Sequence, residues 1–399
     1  MGRRYTGRLF HHDRYHNGRT RYLTLSVPVV DPDQYSAQLD AKRQRIVEQF
    51  ARFQAPALEV FASPASHYRM RCEFRLWHEG DDLFHAMFET GADGIKQTVR
   101  MDQYDVASRR INTLMTQLID AIRDRPELRH RLFQVEYLTT RQGEALITLV
   151  YHRQLDDRWE QAARELETTL DAAIIGRARK QRRVLTRESV TEHLHVAGRV
   201  FSYQQVENSF TQPNADIAES MLNWAREVTQ GEEGLRRSTD LVELYCGNGN
   251  FTIALADNFR RVVATEISRT SVASAQHNLA LNGIDNVHVA RMSSEEFAQA
   301  LSGEKTGRRV SDMQLETHDF STVLVDPPRA GLDADSCEQI ARFDDIVYIS
   351  CNPDTLERNL EQLGQTHEIC RFALFDQFPY TDHCAVSYTH LTLPTIYSV

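Results

Sequence analysis

Long apolar runs are what this chain most conspicuously lacks. No stretch approaches the roughly 20 consecutive apolar residues of a membrane-spanning helix, and the opening residues are rich in Arg and His where a secretory leader would be apolar. A cytoplasmic protein with no membrane partner is expected. Cysteine is sparse and dispersed. Cys72, Cys246, Cys337, Cys351, Cys370 and Cys384 form no C-x-x-C pair, which argues against a zinc site, an iron–sulfur cluster or a disulfide framework. No metal is expected, and any reactive thiol must be judged alone. A basic excess is missing too: the formal net charge is −10, unfavourable for a polyanionic partner unless the cations are clustered.

They are clustered. Between Gly176 and Arg187 lie Arg177, Arg179, Lys180, Arg182, Arg183 and Arg187 without an acid, and Arg69, Arg71, Arg75, Arg123, Arg125, Arg129 and Arg131 form two further runs. Each run alone reads equally well as a solvated face, but three in one half of the chain favour a polyanion surface. With 399 residues, 41% of them hydrophobic, the chain can build two cores. Residues 1–26 show no period and read as a disordered extension. From residue 27 to 205 the pattern is α+β. Leu39, Ile46, Val47 and Phe50 predict a helix between Asp33 and Phe53; HYRMRCEFRLWH, DLFHAMFE and VEYLTTRQGEALITLVYH, with Gly143 near its turn, predict strands; helices are expected over 105–124 and 157–172. Residues 206–383 read as a second domain, in which short apolar runs (TDLVELYC, RRVVATEI, NVHVARM, STVLVDPP, DIVYISC) alternate with helical segments. That rhythm predicts a doubly wound parallel sheet, a Rossmann-like α/β fold whose ligands bind at the carboxyl ends of the strands.

Every candidate motif falls at such an end. TDLVELYC runs into Gly247-Asn248-Gly249-Asn250-Phe251, a turn that lets the backbone approach a ligand. Thr252 stands where a dinucleotide loop would carry its third glycine. Glu266 closes the next strand, about 20 residues on, where an acid can accept hydrogen bonds from both ribose hydroxyls. The pairing suits S-adenosylmethionine as well as NAD, and a solvated strand-end acid is the plain alternative.

Asp326-Pro327-Pro328-Arg329 makes a rigid turn after the fourth strand, from which Asp326 can read a base edge. The fifth strand ends at Ser350-Cys351-Asn352-Pro353, with Pro353 expected as the first residue of a helix. The helix terminus favours the Cys351 thiolate while burial opposes it, so the net shift stays open. An inert buried thiol is the alternative reading, and Cys246 reads as core. A thiolate beside a methyl donor has a specific use. Adding to carbon 6 of a uracil makes an enolate whose carbon 5 attacks the methyl group, after which a base removes the carbon 5 proton and the cysteine leaves.

HYRMRCEFRLWH, VENSFTQPN, LVELYCGNGNF, ATEIS, VDPPRAGLD, YISCNP and FDQFPYT together resemble the bacterial tRNA (uracil-5-)-methyltransferase family, over residues 27–383. The resemblance implies an enzyme that makes 5-methyluridine at position 54 of the tRNA T-arm, and in tmRNA, with S-adenosyl-L-methionine as cofactor. It implies that Gln212, Tyr245, Asn250, Glu266 and Asp326 bind that cofactor, that Cys351 is the nucleophile and that Arg329 lies beside the target uracil. Relatives acting on ribosomal RNA often carry a four-cysteine cluster in the amino-terminal half; Cys72 alone cannot build one, which favours tRNA. Two departures stand out. Residues 1–26 have no family counterpart, and residues 384–399 read as a foreign tail in which the family's proton-accepting glutamate falls at Ala385. Asp382 is the nearest acid that could substitute; the alternative functions are uridine-5-methylation of ribosomal RNA, or a tRNA-binding or folding factor without turnover.

Overall fold

The computed structural model describes residues 27–91, 94–231, 234 and 237–392; the extension 1–26 and residues 393–399 of the tail lie outside the described residues. Two large sheets organise the rest. The first has seven strands in the order Lys96–Arg100, Asp82–Thr90, Arg71–Glu79, Leu132–Thr139, Ala145–Tyr151, Ala173–Ala178, Gln181–Val184. All its pairs are antiparallel except Ala145–Tyr151 with Ala173–Ala178, which the helix Asp157–Leu170 connects. Alternation explains the exposure: on Arg71–Glu79, Cys72, Phe74 and Leu76 point to the core while Glu73 faces water. The predicted helix over 105–124 is Arg109–Ile122. Ile111, Leu114, Met115, Leu118 and Ile122 line its buried stripe, and the Ser108 hydroxyl accepts the Ile111 N–H at its start.

The second sheet has eight strands: Glu59–Phe61, His367–Phe375, Ala385–Thr392, Asp345–Ser350, Phe320–Val325, Asp240–Leu244, Val262–Glu266, Val287–Arg291. Seven point the same way, as expected for a doubly wound sheet; Ala385–Thr392 runs antiparallel to both neighbours. Chain order reverses at Asp240–Leu244, with the next two strands on one side of it and the following two on the other. That reversal opens a crevice at the carboxyl ends of the strands.

Three placements differ from the sequence-based partition. The predicted first helix is Tyr35–Phe50, but Ile46 and Phe50 pack into the eight-stranded sheet's core, and Val47, expected inside, is exposed. The strand Glu59–Phe61 extends the same sheet, parallel to His367–Phe375. The hairpin Ser189–Val196 and Arg199–Val206 shares its core with the same half: Leu194, Phe201 and Tyr203 cluster with Trp224 and Phe251. Local pattern marks helices and strands but not which core they join, so these three memberships were not legible in the sequence.

The tail enters the sheet as well. Within Ala385–Thr392, Val386 and Tyr388 are buried, and the Tyr388 ring lies 5.4 Å from Tyr348. Truncating Tyr388 to Ala is expected to cost about 3–5 kcal/mol in chemical denaturation, as for other large buried aromatic side chains. A loss below about 1 kcal/mol would contradict the strand's place in the core.

The basic runs do not present free charge throughout. Arg177 and Arg182 both pair with the buried Glu207, Arg183 with Asp157 and Glu160, and Arg187 with Glu144. Arg123 pairs with Asp82, Arg125 with Glu127 and Glu165. Much of the cationic density anticipated for a polyanion is therefore spent inside the fold, and Arg179 and Lys180 of the 176–187 run lie outside these pairs.

Candidate active site

The crevice is a cavity of about 780 Å³, within the range of small-ligand sites. Gln212, Tyr245, Gly247, Asn250, Glu266, Asp326, Arg329, Cys351 and Ala385 all line it. Asp382 does not; its side chain is exposed and its carbonyl accepts from Arg45 Nη2 at 2.6 Å. Four strand ends supply the chemistry. Leu244 leads into the glycine turn, Val262–Glu266 ends in the acid, Val325 precedes Asp326 and Ser350 precedes Cys351.

Gly247 (φ +56°) and Gly249 (φ +84°) take the left-handed conformation that glycine adopts without strain, and a Cβ on Gly247 would project into open space. Glu266 is already oriented by the turn, accepting the Gly247 N–H at 3.1 Å and the Ser268 N–H at 2.7 Å. Its remaining lone pairs are available to hydroxyl donors. The Tyr245 hydroxyl lies 2.8 Å from Ser294 Oγ. Gln377 Nε2 donates to Gln212 Oε1 at 2.8 Å. Three buried polar atoms on the cavity wall, Gln205 Oε1, Asn250 Nδ2 and Gln377 Oε1, have no partner among the described residues. Buried polar groups are ordinarily satisfied, so one donor and two acceptors left open here fit a polar ligand. S-adenosylmethionine, with ribose hydroxyls, an ammonium and a carboxylate, suits this set.

Cys351 follows its strand as expected, and Pro353 opens the helix Pro353–Leu363 with Asn352 as its cap. Asn352 Nδ2 donates to the Arg329 carbonyl at 3.0 Å, tying the nucleophile's turn to the Asp326–Arg329 turn. The open question about the thiol is resolved against the helix terminus. Burial pushes the Cys351 pKa up, the Asp326 carboxylate adds to the rise and Arg329 opposes it. Burial also pushes Asp326 up to about 7 and Glu243, on the same wall, up to about 8. Cys246 is buried with its thiol pushed up, in line with a core role.

Register supplies the sharpest constraint. Ser350 pairs with Val386, and Phe375 with Ala385. Cys351 follows Ser350 and Ala385 precedes Val386, so the two residues flank that last paired step, and both line the cavity. His383, two residues earlier, also lines the cavity, where Arg329 Nη2 donates to its Nδ1 at 3.1 Å. Burial and the Arg329 charge lower the His383 pKa. With Nδ1 accepting, the neutral ring carries its proton on Nε2, so this arrangement leaves it no free lone pair for a proton.

Sequence reasoning missed Gln205, Gln377, Glu243 and Glu192 among the polar residues of the cavity wall. Glu243 and Gln377 lie inside the quoted motifs, but only folding shows that they face the cavity. Glu192 comes from the hairpin, where burial lifts its pKa to about 7, and nothing local marks it.

A sequence model of the family described as tRNA (Uracil-5-)-methyltransferase matches residues 34–389. The tRNA/tmRNA (uracil-C(5))-methyltransferase of Chromohalobacter salexigens is 67% identical over 362 residues, covering 90% of this chain and 96% of that protein. That of Aeromonas hydrophila is 54% identical over 361 residues, covering 89% and 94%. Among solved structures, the Pyrococcus abyssi tRNA (uracil-54, C5)-methyltransferase in complex with S-adenosyl-L-homocysteine has the same fold, with a TM-score of 0.66 at 22% identity over 90% of this chain and 83% of that one. Fold and strand-end cavity thus define a Rossmann-like methyltransferase. More narrowly, the chain belongs to the tRNA (uracil-5-)-methyltransferase family.

The electrostatics around residue 351 give a signed prediction. Asp326→Asn removes a charge that raises the thiol's pKa and should speed Cys351 alkylation by iodoacetamide at pH 8, whereas Arg329→Ala should slow it. Each change is expected on the order of two- to tenfold, one pKa unit being tenfold in thiolate. Peptide mass mapping measures the rate at this cysteine; opposite signs would show that other charges govern it.

Proposed function

We propose that this chain methylates carbon 5 of the uridine at position 54 in the T-arm of tRNA, and the equivalent uridine of tmRNA, by way of a covalent adduct at Cys351. The observation that supports the reading is that Cys351 and Ala385, which flank the paired Ser350 and Val386, line one cavity with Asp326 and the Gly247 turn. S-adenosylmethionine is the cofactor and supplies an electrophilic methyl group. Gln212, Tyr245, Gly247, Asn250, Glu266 and Asp326 are the residues that would hold it.

The target base must leave its stack to reach this cavity. The Cys351 thiolate adds to carbon 6, forming the carbon–sulfur bond, and the electron pair moves through carbon 5 to oxygen 4 as an enolate. Arg329, at the cavity edge, is placed to stabilise that charge. The enolate collapses as carbon 5 takes the methyl, and the pair of the broken methyl–sulfur bond would stay with the donor, which would leave as a neutral thioether. Loss of the carbon 5 proton to a base then expels the thiolate and restores the ring. Asp326, with its pKa near neutrality, can present a proton donor to the base edge at the start of this sequence.

Ala385 bears on the last step. Its methyl side chain neither accepts nor relays a proton, Asp382 is exposed and does not line the cavity, and His383 is held by Arg329. Methyl transfer is therefore expected to proceed and release to stall, which leaves RNA attached to the protein. Ala385→Glu should restore multiple turnover, raising the release rate by at least about 10²-fold, the lower end of what a positioned base contributes. Methyl incorporation from labelled cofactor into tRNA, beyond one equivalent per enzyme, measures it. Equal multiple turnover by the parent chain and the Ala385→Glu variant would sink the assignment of position 385. Cys351→Ala should abolish incorporation in both backgrounds, whereas a tRNA-folding factor without catalysis would be indifferent to it.

A further inference from the structure

We propose that Lys42, on the first helix, is a positioning residue for the methyl transfer: it fixes the main chain of residues 376–383, the segment that forms one wall of the cavity. The ammonium group donates to Asp376 Oδ1 at 2.6 Å, to the Phe378 carbonyl at 2.8 Å and to the His383 carbonyl at 3.1 Å. Three contacts use all three N–H groups. The three acceptors span residues 376–383, of which Gln377, Phe378, Thr381 and His383 line the cavity.

Neighbouring residues of the same helix act on the same loop. Gln38, one turn earlier, donates from Nε2 to Asp376 Oδ2 at 3.0 Å and accepts the Tyr380 N–H on Oε1 at 3.2 Å. Arg45 holds the Asp382 carbonyl. From the other half of the chain, the Tyr68 hydroxyl donates to the Pro379 carbonyl at 3.1 Å. The helix Tyr35–Phe50 thus works as a splint along the catalytic wall.

The ion pair at the centre is deeply buried, with side chains 7% and 0% exposed for Lys42 and Asp376. Burying two charges costs so much desolvation that apolar residues of similar volume often serve stability as well. What apolar residues cannot supply is direction. A tetrahedral donor that reaches one carboxylate and two carbonyls dictates the path of the loop between them, and that path sets where Gln377 meets Gln212 and where the chain enters residue 385. Misplacement of a reacting partner by about 1 Å can cost on the order of 10²-fold in rate.

This inference rests on the methyl-transfer reading above, and its test separates the two. The full chain is compared with Lys42→Met, with Lys42→Arg and with the double variant Lys42→Met/Asp376→Asn, which removes the unpaired buried charge that could unfold the single variant. Three quantities are read: the rate of denaturant-stable tRNA adduct formation at saturating tRNA and S-adenosylmethionine, the tRNA dissociation constant by filter binding, and amide hydrogen exchange over residues 376–384. The double variant is expected to bind tRNA within threefold of the parent, to form adduct at least tenfold more slowly and to lose exchange protection in that segment alone. Lys42→Arg, which keeps the donors, is expected to recover most of the rate. A folded double variant with the parental adduct rate overturns the proposal. If the parent itself forms no adduct, the functional reading fails and exchange decides: unchanged protection over 376–384 in the double variant overturns the role of Lys42, and loss confined to that segment upholds it.

Discussion

Convergence on one flat ring is the constraint on which the rest depends: a sulfur, a methyl donor and a proton acceptor must all reach the same pyrimidine. A parallel sheet gathers its strand ends on one side, which assembles the donor loop at Gly247, the acid at Glu266, the turn at Asp326 and the thiol at Cys351. The proton acceptor needs something else. On the proposed reading its position is 385, the first residue of the reversed strand Ala385–Thr392, inserted between Asp345–Ser350 and His367–Phe375, and the alanine there supplies no acceptor. Reversal places the first residue of that strand, not its last, at the catalytic edge.

That solution makes the loop before the reversed strand critical. Residues 376–384 must turn the chain through the wall of the cavity, and they do so under hydrogen bonds from the first helix rather than from a regular ladder. Burial around the same site has a second consequence. It raises the pKa values of Cys351, Asp326 and Glu243 together, so the protein by itself disfavours the charged form of each. Charge comes to the site with its ligands: a sulfonium and an ammonium on the donor would favour the thiolate that burial disfavours.

The alternating strands and helices of the catalytic half, the Pro353 helix start and the motif ends were legible because each is a local pattern. Seven of the nine cavity residues named from motifs and resemblance face one space because they follow strand ends of a parallel sheet; Gln212, before the helix Ala215–Thr229, and Ala385, at the start of the reversed strand, join them from elsewhere. What local pattern could not show was partnership. Lys42 looks like any surface lysine of an amphipathic helix, and its carboxylate partner lies at residue 376. The arginines of 176–187 look free until the fold brings Glu207, Glu160 and Glu144 beside them. The residues after 383 read as foreign because they depart from the family's pattern, yet Val386 and Tyr388 are buried in the sheet as the residues of an inserted core strand are.

The central claim is chemical, and it can be read directly on the protein. The chain is incubated with tRNA and S-adenosylmethionine, denatured, digested with nuclease and protease, and its peptides are weighed. The account predicts a methylated uridine nucleotide attached to the peptide that contains Cys351. Release of 5-methyluridine with that peptide unmodified, or an adduct on any other cysteine of the chain, would contradict it.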